Sequence, residues 1–249
     1  MKLLELNNVG LIYQTDESET TALKNISFTV DDGEFVAIVG PSGCGKTTIL
    51  SLVAGLISPT SGEIVLGDDK IVRPRRDVGY MLQRDQLFEW RNILSNVTLG
   101  PEIQNKKSTE FIAYAENLLD KYGLGEFKKY FPKQLSGGMR QNACIAMALA
   151  QDTDYIMLDE PTTFLDVSNG LEVMKILREL ADGGKGVAAV MHDLPLAFKC
   201  SDAVAVLKNG GIAACGTPEH ICESGIVRDI FGVGLRYCAD GDYYHYTYD

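Results

Sequence analysis

Residues 34–53 read EFVAIVGPSGCGKTTILSLV, and this stretch decides the fold. Residues 34–40 form a nearly continuous apolar run, which is typical of a strand covered on both faces. A glycine-rich loop follows this run, and the sequence then predicts a helix from about Lys46 to Gly55. A buried strand that leads through such a loop into a helix indicates the centre of an α/β core.

The loop between this strand and helix has a pattern that binds phosphate. Residues 40–47, GPSGCGKT, satisfy G-x-x-x-x-G-K-[ST] between a strand and a helix, which is the context that the motif requires. The glycines let backbone N–H groups turn toward the phosphates, and the helix N-terminus adds its positive dipole end. We expect Lys46 to reach the β- and γ-phosphates of ATP as a catalytic group, and Thr47 to ligate Mg²⁺. The predicted nucleotide-binding residues here are Gly40, Pro41, Ser42, Gly43, Cys44, Gly45, Lys46, Thr47 and Thr48.

Two carboxylates end another buried run. Residues 155–160, YIMLDE, predict a strand that finishes with an Asp-Glu pair. A phosphate-loop enzyme needs an acid for its metal, so we expect Asp159 to hold Mg²⁺. Glu160 is then expected to orient or deprotonate the attacking water. The alternative is that a carboxylate at this position caps a helix.

Further strands are predicted on both sides of this core. Alternation in residues 3–13 and 25–30, separated by turn-prone residues 15–20, predicts an antiparallel lobe at the start. Strands are also predicted at 63–68, 78–83 and 186–193. Residues 202–216 predict a hairpin that turns at Asn209-Gly210. The tyrosine-rich tail YCADGDYYHYTYD (237–249) predicts a second hairpin around Asp240-Gly241-Asp242.

Helical patterns follow the strand at 78–83. One helix is predicted with Ser108 as its cap, and residues 139–150 predict a helix that is buried on nearly all sides. A third helix is predicted between the strands at 155–160 and 186–193, which favours a parallel crossover. The apolar face of the first helix consists of Phe111, Ala115, Leu118 and Tyr122. The apolar stripe of the third consists of Leu171, Met174, Leu177 and Leu180.

Composition limits the class of protein. The net charge of −11 argues against a general nucleic-acid binder, which needs a basic face. No apolar stretch reaches the roughly 18 residues that span a membrane. Residues 1–5, MKLLE, do not resemble a signal peptide, so we expect a cytoplasmic protein. The six cysteines include no C-x-x-C pair and are expected to be reduced structural thiols.

Residues 135–141, LSGGMRQ, open the predicted buried helix and resemble the signature sequence of ABC-type ATPases. The resemblance covers nearly the whole chain, because the phosphate loop, the signature, the Asp-Glu pair and a histidine occur in the family's order. It implies that Tyr13 stacks on adenine and that His192 contacts the γ-phosphate as a catalytic residue. The alternative for Tyr13, an aromatic residue at the end of a strand, is ordinary core packing. Gln83 resembles the Q-loop glutamine, with a catalytic and a metal-binding role, and Asp166 resembles the D-loop aspartate. The signature residues implied to contact nucleotide are Ser136, Gly137, Gly138 and Gln141.

The resemblance also implies a fold and an assembly. The expected fold class is α/β: a phosphate-loop (P-loop) NTPase core of the ABC ATPase type, with an N-terminal antiparallel β lobe and a helical subdomain insert. The whole chain 1–249 is expected to be one such domain, with core and lobe at about 1–90 and 151–235, the helical signature subdomain at about 91–150, and a tail at 236–249. In the family two copies pack head to tail, so each ATP would lie between one copy's phosphate loop and the other's signature. The stretch TTFLD departs from the family's commoner small-residue pattern and would place Phe164 near this contact.

Resemblance further suggests what the ATPase drives. Residues 84–100, RDQLFEWRNILSNVTLG, look like importer subunits of the nitrate/sulfonate/taurine group, which would place Trp90 and Arg91 at the membrane subunit's docking groove. The alternative for Trp90 is ordinary packing. Residues 224–237, SGIVRDIFGVGLRY, instead resemble the tails of iron-chelate and cobalamin importer subunits, and a soluble ABC ATPase in iron–sulfur assembly is another alternative. The implied partners are transmembrane permease subunits and, indirectly, an extracytoplasmic solute-binding protein, with no nucleic acid. The implied location is peripheral, on the inner face of the cell membrane.

Overall fold

The computed structural model describes residues 2–14, 18–31, 33–83, 86–105, 108–240 and 243–249. The strands are β1 (Lys2–Gln14), β2 (Glu19–Asp31), β3 (Phe35–Val39), β4 (Ser61–Leu66), β5 (Asp69–Lys70), β6 (Val78–Met81), β7 (Tyr155–Asp159), β8 (Gly186–Val190), β9 (Ala203–Lys208), β10 (Gly211–Gly216), β11 (Leu235–Asp240) and β12 (Tyr243–Tyr248). The helices are α1 (Lys46–Val53), α2 (Ile93–Val97), α3 (Leu99–Ile103), α4 (Thr109–Lys121), α5 (Gly137–Leu149), α6 (Val167–Asp182), α7 (Leu194–Cys200), α8 (Pro218–Glu223) and α9 (Ile226–Phe231). None of the helices among these described residues is long and apolar enough to cross a membrane.

The chain divides into two compact units. The first unit comprises Met1–Arg75 and Met174–Asp249, and the second comprises Arg76–Val173. The boundary between them falls within helix α6. The domain boundaries that the sequence suggested stay a prediction.

The first unit contains the antiparallel lobe and most of the parallel strands. The lobe has the strand order β2-β1-β4-β5, which confirms the antiparallel opening of the chain. Strand β2 begins at Glu19, six residues before the predicted strand, because backbone pairing with β1 extends to Glu19 opposite Gln14. The exposed side chains at 19–21 carry no apolar alternation, so the pattern could not reveal this pairing.

Strand β3 is completely buried and pairs in parallel with β8 and with β9. Strand β10 pairs antiparallel with β9, and the turn between them is at Asn209 and Gly210, with φ values of 51° and 78°. Positive φ at both central residues is the geometry of a type I′ turn, which Asn-Gly favours. This confirms the predicted hairpin and the buried strand before the phosphate loop.

The second unit pairs β6 with β7 in parallel and contains helices α2 to α5. The Ser108 hydroxyl accepts a hydrogen bond from the Phe111 N–H at 3.1 Å, which confirms the predicted cap of α4. Helix α5 is buried from Gln141 through Ala146, as predicted for a helix that is apolar on nearly all sides. The parallel strands, the antiparallel lobe and these helices confirm the predicted α/β fold class.

The predicted apolar stripe of α6 is wrong at Leu171. Met174 and Leu177 are buried as expected, but 46% of Leu171 is exposed. The buried face of the helix instead includes Val173 and Ile176. Apolar residues surround much of this helix, so spacing alone selected a neighbouring stripe.

A charged cluster holds the start of β3. Asp202 accepts the Phe35 N–H at 2.8 Å and pairs with Arg178 at 2.5 Å. Arg178 also donates to Asp182 at 2.9 Å. The pKa of Arg178 is lowered by partial burial but raised more by its bonds with Asp202 and Asp182, so the net shift is upward.

Replacing Arg178 with methionine should therefore lower the free energy of unfolding, by about 1–2 kcal/mol, because a charge-assisted contact near the core strand is lost. Lys175→Met is the matched control, since Lys175 is on the same helix and is 78% exposed, with its Glu179 partner 4.0 Å away. Urea unfolding of both variants measures the difference. Equal destabilisation of the two would show that the cluster contributes nothing specific.

Candidate functional site

The phosphate loop joins β3 to α1 in the first unit. Gly43 and Gly45 have φ values of 78° and 104°, in the left-handed region that favours glycine. A Cβ atom at Gly45 would be 2.5 Å from Leu23 Cδ2 and 3.1 Å from the Ala22 carbonyl oxygen, so the positive φ and this crowding together favour glycine just before α1. The backbone conformation of the loop therefore explains why the motif has glycine at positions 43 and 45.

Lys46 curls into this loop. Its ammonium donates hydrogen bonds to the carbonyl oxygens of Gly40 at 2.7 Å and Pro41 at 3.1 Å, and the residue is 7% exposed. A buried cation requires partners, and the loop supplies only neutral carbonyls. The loop thus holds a positive charge that an anionic group would stabilise further.

The neighbouring thiol has a different character. Cys44 is 5% exposed, and burial raises the pKa of its thiol despite the nearby Lys46. The thiol is consequently neutral and unreactive near pH 7. The side chain of Cys44 therefore packs within the loop as a small apolar group, and the predicted contact of Cys44 with nucleotide stays a prediction.

Other predicted residues of the first unit are accessible. Tyr13 is at the end of β1 and 45% exposed, and Ser42 and Thr47 are exposed in or beside the loop. His192 is exposed in the short connection between β8 and α7. Each of these side chains is open to a bound molecule.

The second unit brings together the predicted acids and the glutamine. Asp159 ends β7 and is completely buried, and Glu160 follows it with φ of 55°. Positive φ is uncommon for a residue with a side chain and is concentrated at functional sites. Gln83 Nε2 donates to Glu160 Oε1 at 3.0 Å, and the Thr163 hydroxyl donates to Glu160 Oε2 at 3.2 Å. The carboxylate is therefore oriented at both oxygens.

The signature residues are at the start of α5. Ser136 is exposed and caps the helix, since its hydroxyl accepts the Met139 N–H at 3.2 Å. Gln141 Nε2 donates to the backbone oxygens of Glu160 at 3.1 Å and Pro161 at 3.2 Å. The signature helix is thus tied directly to the backbone of the predicted catalytic acid.

A cavity of about 600 Å³ opens between these elements of the second unit. Its lining includes Gln83, Gly137, Arg140, Gln141, Glu160, Thr163 and Phe164. The site therefore presents a carboxylate, amides and a helix N-terminus toward one space.

The segment after Glu160 approaches the signature closely. A Cβ atom at Gly138 would be 3.1 Å from the Phe164 carbonyl oxygen, so glycine permits this approach. Phe164 itself has φ of 69° and is 75% exposed. Asp166 caps α6 by accepting the Asn169 N–H at 2.8 Å, which is a local role that the resemblance did not predict.

Sequence reasoning missed Thr163 as the second partner of Glu160. Its only sequence signal is a hydroxyl residue three positions after the acid, a spacing that permits a local hydrogen bond. The tight turn that makes this bond depends on the positive φ of Glu160, which no pattern revealed.

A lysine inside a glycine loop, between a buried strand and a helix, defines a phosphate-loop nucleotide-binding protein. The family model described as ABC transporter matches residues 23–163. The chain belongs to the ABC transporter family, as an ATP-binding subunit with ATPase activity. This confirms the family that the signature suggested.

Individual relatives agree with this assignment. An uncharacterised ABC transporter ATP-binding protein of Bacillus subtilis, YtlC, is 39% identical over 210 residues, covering 84% of this chain and 81% of that protein. The taurine import ATP-binding protein TauB of Ruegeria pomeroyi is 34% identical, covering 83% of this chain and 78% of that protein. A dimeric structure of the ATP-binding cassette MJ0796, in a post-hydrolysis state with ADP and Pi, superimposes with a TM-score of 0.81 at 32% identity, covering 87% of this chain and 99% of that one. The roles of individual site residues stay predictions.

Proposed function

We propose that this chain is the ATP-hydrolysing subunit of a membrane importer for small sulfonates such as taurine, and that Glu160 activates the attacking water. The observation that carries the catalytic assignment is the bonding of both Glu160 oxygens, to Gln83 and to Thr163. A carboxylate fixed in this way can accept a proton in a defined direction. The similarity to a taurine import protein supports the substrate class.

The chain's own residues divide the work of hydrolysis. The loop N–H groups and Lys46 bind the β- and γ-phosphates, and the lysine neutralises charge on them as the bond to the γ-phosphate breaks. His192 contacts the γ-phosphate, and Tyr13 stacks on the adenine. Glu160 withdraws the proton from water while Gln83 keeps the carboxylate oriented.

The residues proposed to hold Mg²⁺ fit that ion chemically. Thr47, Asp159 and Gln83 offer a hydroxyl, a carboxylate and an amide oxygen, and oxygen donors are the ligands that Mg²⁺ prefers. The Asp159 carboxylate is fully buried, where a cation offsets the cost of its charge. Gln83 uses its amide nitrogen toward Glu160, so its carbonyl oxygen takes no part in that bond. When bound, Mg²⁺ neutralises charge on the phosphate oxygens of the transition state.

A second copy of this chain would complete each nucleotide site. The exposed start of α5, at Ser136 and Gly137, offers N–H groups and a dipole to an anion from outside. The related MJ0796 cassette is dimeric with ADP and Pi bound, which supports a dimer here, and the head-to-tail arrangement is part of our proposal. The exposed Phe164 and Asp166 are then expected at the contact between copies.

The permease would dock near Trp90, on the inner face of the membrane. Trp90 is 75% exposed, and the centroid of its ring lies 4.6 Å from the centroid of the Phe88 ring. The two side chains therefore present an apolar surface. Arg91 instead makes two hydrogen bonds with Glu102, at 3.2 and 2.7 Å. We therefore assign permease contact to Trp90, while Arg91 shapes the loop that presents it.

This function is tested by the uptake of radiolabelled taurine in cells from which the chromosomal gene for this chain has been deleted. Wild-type chain should restore uptake, and Trp90→Ala should abolish it while the purified subunit keeps its ATPase rate, because Trp90 is exposed and is not part of the described lining of the cavity at Glu160. Tyr114→Ala is the matched control, since Tyr114 is an aromatic residue of the same unit that is 41% exposed. Restored uptake of cobalamin or an iron chelate instead of taurine would refute the substrate class, and co-purification with a soluble scaffold alone would refute the importer.

A further inference from the structure

The C-terminal hairpin is not explained by ATP hydrolysis. Strands β11 and β12 form a sheet of their own, in which Tyr237 lies opposite Tyr246. An isolated two-stranded hairpin is at best marginally stable in water, so this one depends on what it packs against. Strand β12 packs on α7, and strand β11 packs on α8.

Tyr246 is the centre of that packing. It is 7% exposed, and its ring meets the ring of Phe198, on α7, edge to face at 5.6 Å between centroids. Its hydroxyl donates to Glu219 at 3.2 Å, and the Tyr237 hydroxyl donates to Glu223 at 2.5 Å. Burial, followed by the Glu219 charge, raises the pKa of Tyr246, so the hydroxyl stays a donor. These bonds to α8 hold the hairpin in the position from which the Tyr246 ring contacts α7.

Helix α7 is the element on which this contact acts. The helix begins at Leu194, two residues after His192, and Asp193 caps it by accepting the Leu196 N–H at 3.0 Å. Seven residues are too few for a helix to be stable alone, so its position depends on neighbours. Helix α7 packs on β3, the strand that leads into the phosphate loop, and on β12. Phe198, 1% exposed, is the residue through which the hairpin reaches it.

We propose that Tyr246 is a positioning residue for His192: its ring holds α7 through Phe198, and α7 holds the backbone that keeps His192 at the γ-phosphate. The inference rests on the proposed role of His192. Loss of the Tyr246 ring lets α7 shift, which moves His192 relative to the phosphate loop and slows hydrolysis. ATP binding by the loop itself should be kept, because β3 is also held by its pairing with β8 and β9, and Lys46 by carbonyl oxygens of the loop.

Three variants of the full chain test the contact. Tyr246→Ala should lower kcat by roughly tenfold, because small displacements of a group near the reacting atoms are costly. The Kd for ATP, from equilibrium binding, should stay unchanged, and a full binding stoichiometry shows that the variant is folded. Tyr246→Phe keeps the ring contact with Phe198 and should retain a rate close to that of the wild type, because the bond of Tyr237 to Glu223 still holds the hairpin on α8. Tyr248→Ala, in the same strand and 54% exposed, removes an equal ring and should also leave the rate unchanged.

A double variant distinguishes positioning from general stability. His192→Ala should reduce the rate strongly, and single-turnover assays with radiolabelled ATP over hours resolve what remains. Adding Tyr246→Ala should then lower the residual rate no further, because both changes remove the same interaction. Three outcomes would each overturn the inference while leaving the proposed function intact. The first is a roughly tenfold effect of Tyr246→Ala in the His192→Ala chain, and the second is a loss of ATP affinity in step with kcat. The third is a normal rate for Tyr246→Ala alone. A normal rate for His192→Ala would refute the role of His192 and this inference with it.

Discussion

Replacing Glu160 with glutamine should lower the ATPase rate by a factor of about 100 or more, because the group that accepts the proton from water is lost. The amide has nearly the shape of the carboxylate, so its oxygen can still accept from Gln83 while Thr163 reorients its hydroxyl. The fold and ATP binding should therefore be kept. Hydrolysis would stop after the two copies have closed, and an ATP-bound dimer should accumulate.

Size-exclusion chromatography with and without ATP measures the dimer, and phosphate release measures the rate. The control is Glu110→Gln, which makes the same chemical change at an exposed position in the first turn of α4. This control should behave as the wild type in both assays. A Glu160→Gln chain that still turns over ATP at a normal rate would exclude Glu160 as the base, and the Gln83 bond would then have only a structural role.

Much of the fold and part of the site could be predicted from the sequence, because their signals are local. The phosphate loop, the cap at Ser108 and the turn at Asn209-Gly210 each follow from residues close in sequence, because the side chains there favour one local backbone conformation. The bond between Gln83 and Glu160 joins residues 77 positions apart, so no pattern contains it. Resemblance named both residues but did not reveal that one holds the other.

The error at Leu171 has a related cause. Apolar residues occur on several sides of α6, and spacing alone cannot say which of them meets the core. Leu171 and Val167, 46% and 82% exposed, are one turn apart on α6 and follow the exposed Phe164 closely in the sequence. Exposed apolar residues grouped in this way are typical of a contact surface, which agrees with the proposed contact between copies.

Replacing Ser136 with aspartate should lower the ATPase rate by a factor of about 100, because a like charge placed against the γ-phosphate costs several kcal/mol. Ser136 has a second, structural role as the cap of α5, so removal of the hydroxyl would mix two effects. Aspartate caps a helix as well as serine does, and its charge suits a helix N-terminus. The thermal midpoint of the variant should therefore equal or exceed that of the wild type, which separates its effect on catalysis from its effect on folding.

The site of this effect can be located by measuring ATP binding as well as turnover. If Ser136 acts on the partner's nucleotide, the monomer should bind ATP with unchanged Kd at protein concentrations too low for dimerisation, while hydrolysis by the dimer is lost. Ser108→Asp is the matched control, because Ser108 caps α4 through the same kind of bond, to the Phe111 N–H. Suppose that the control is fully active, and that Ser136→Asp loses hydrolysis but keeps the monomer Kd for ATP. The phosphate loop is then half a site, completed by the signature of another copy. An equal fall of monomer affinity in Ser136→Asp would mean instead that the signature acts on its own chain's ATP, and the head-to-tail arrangement would be wrong.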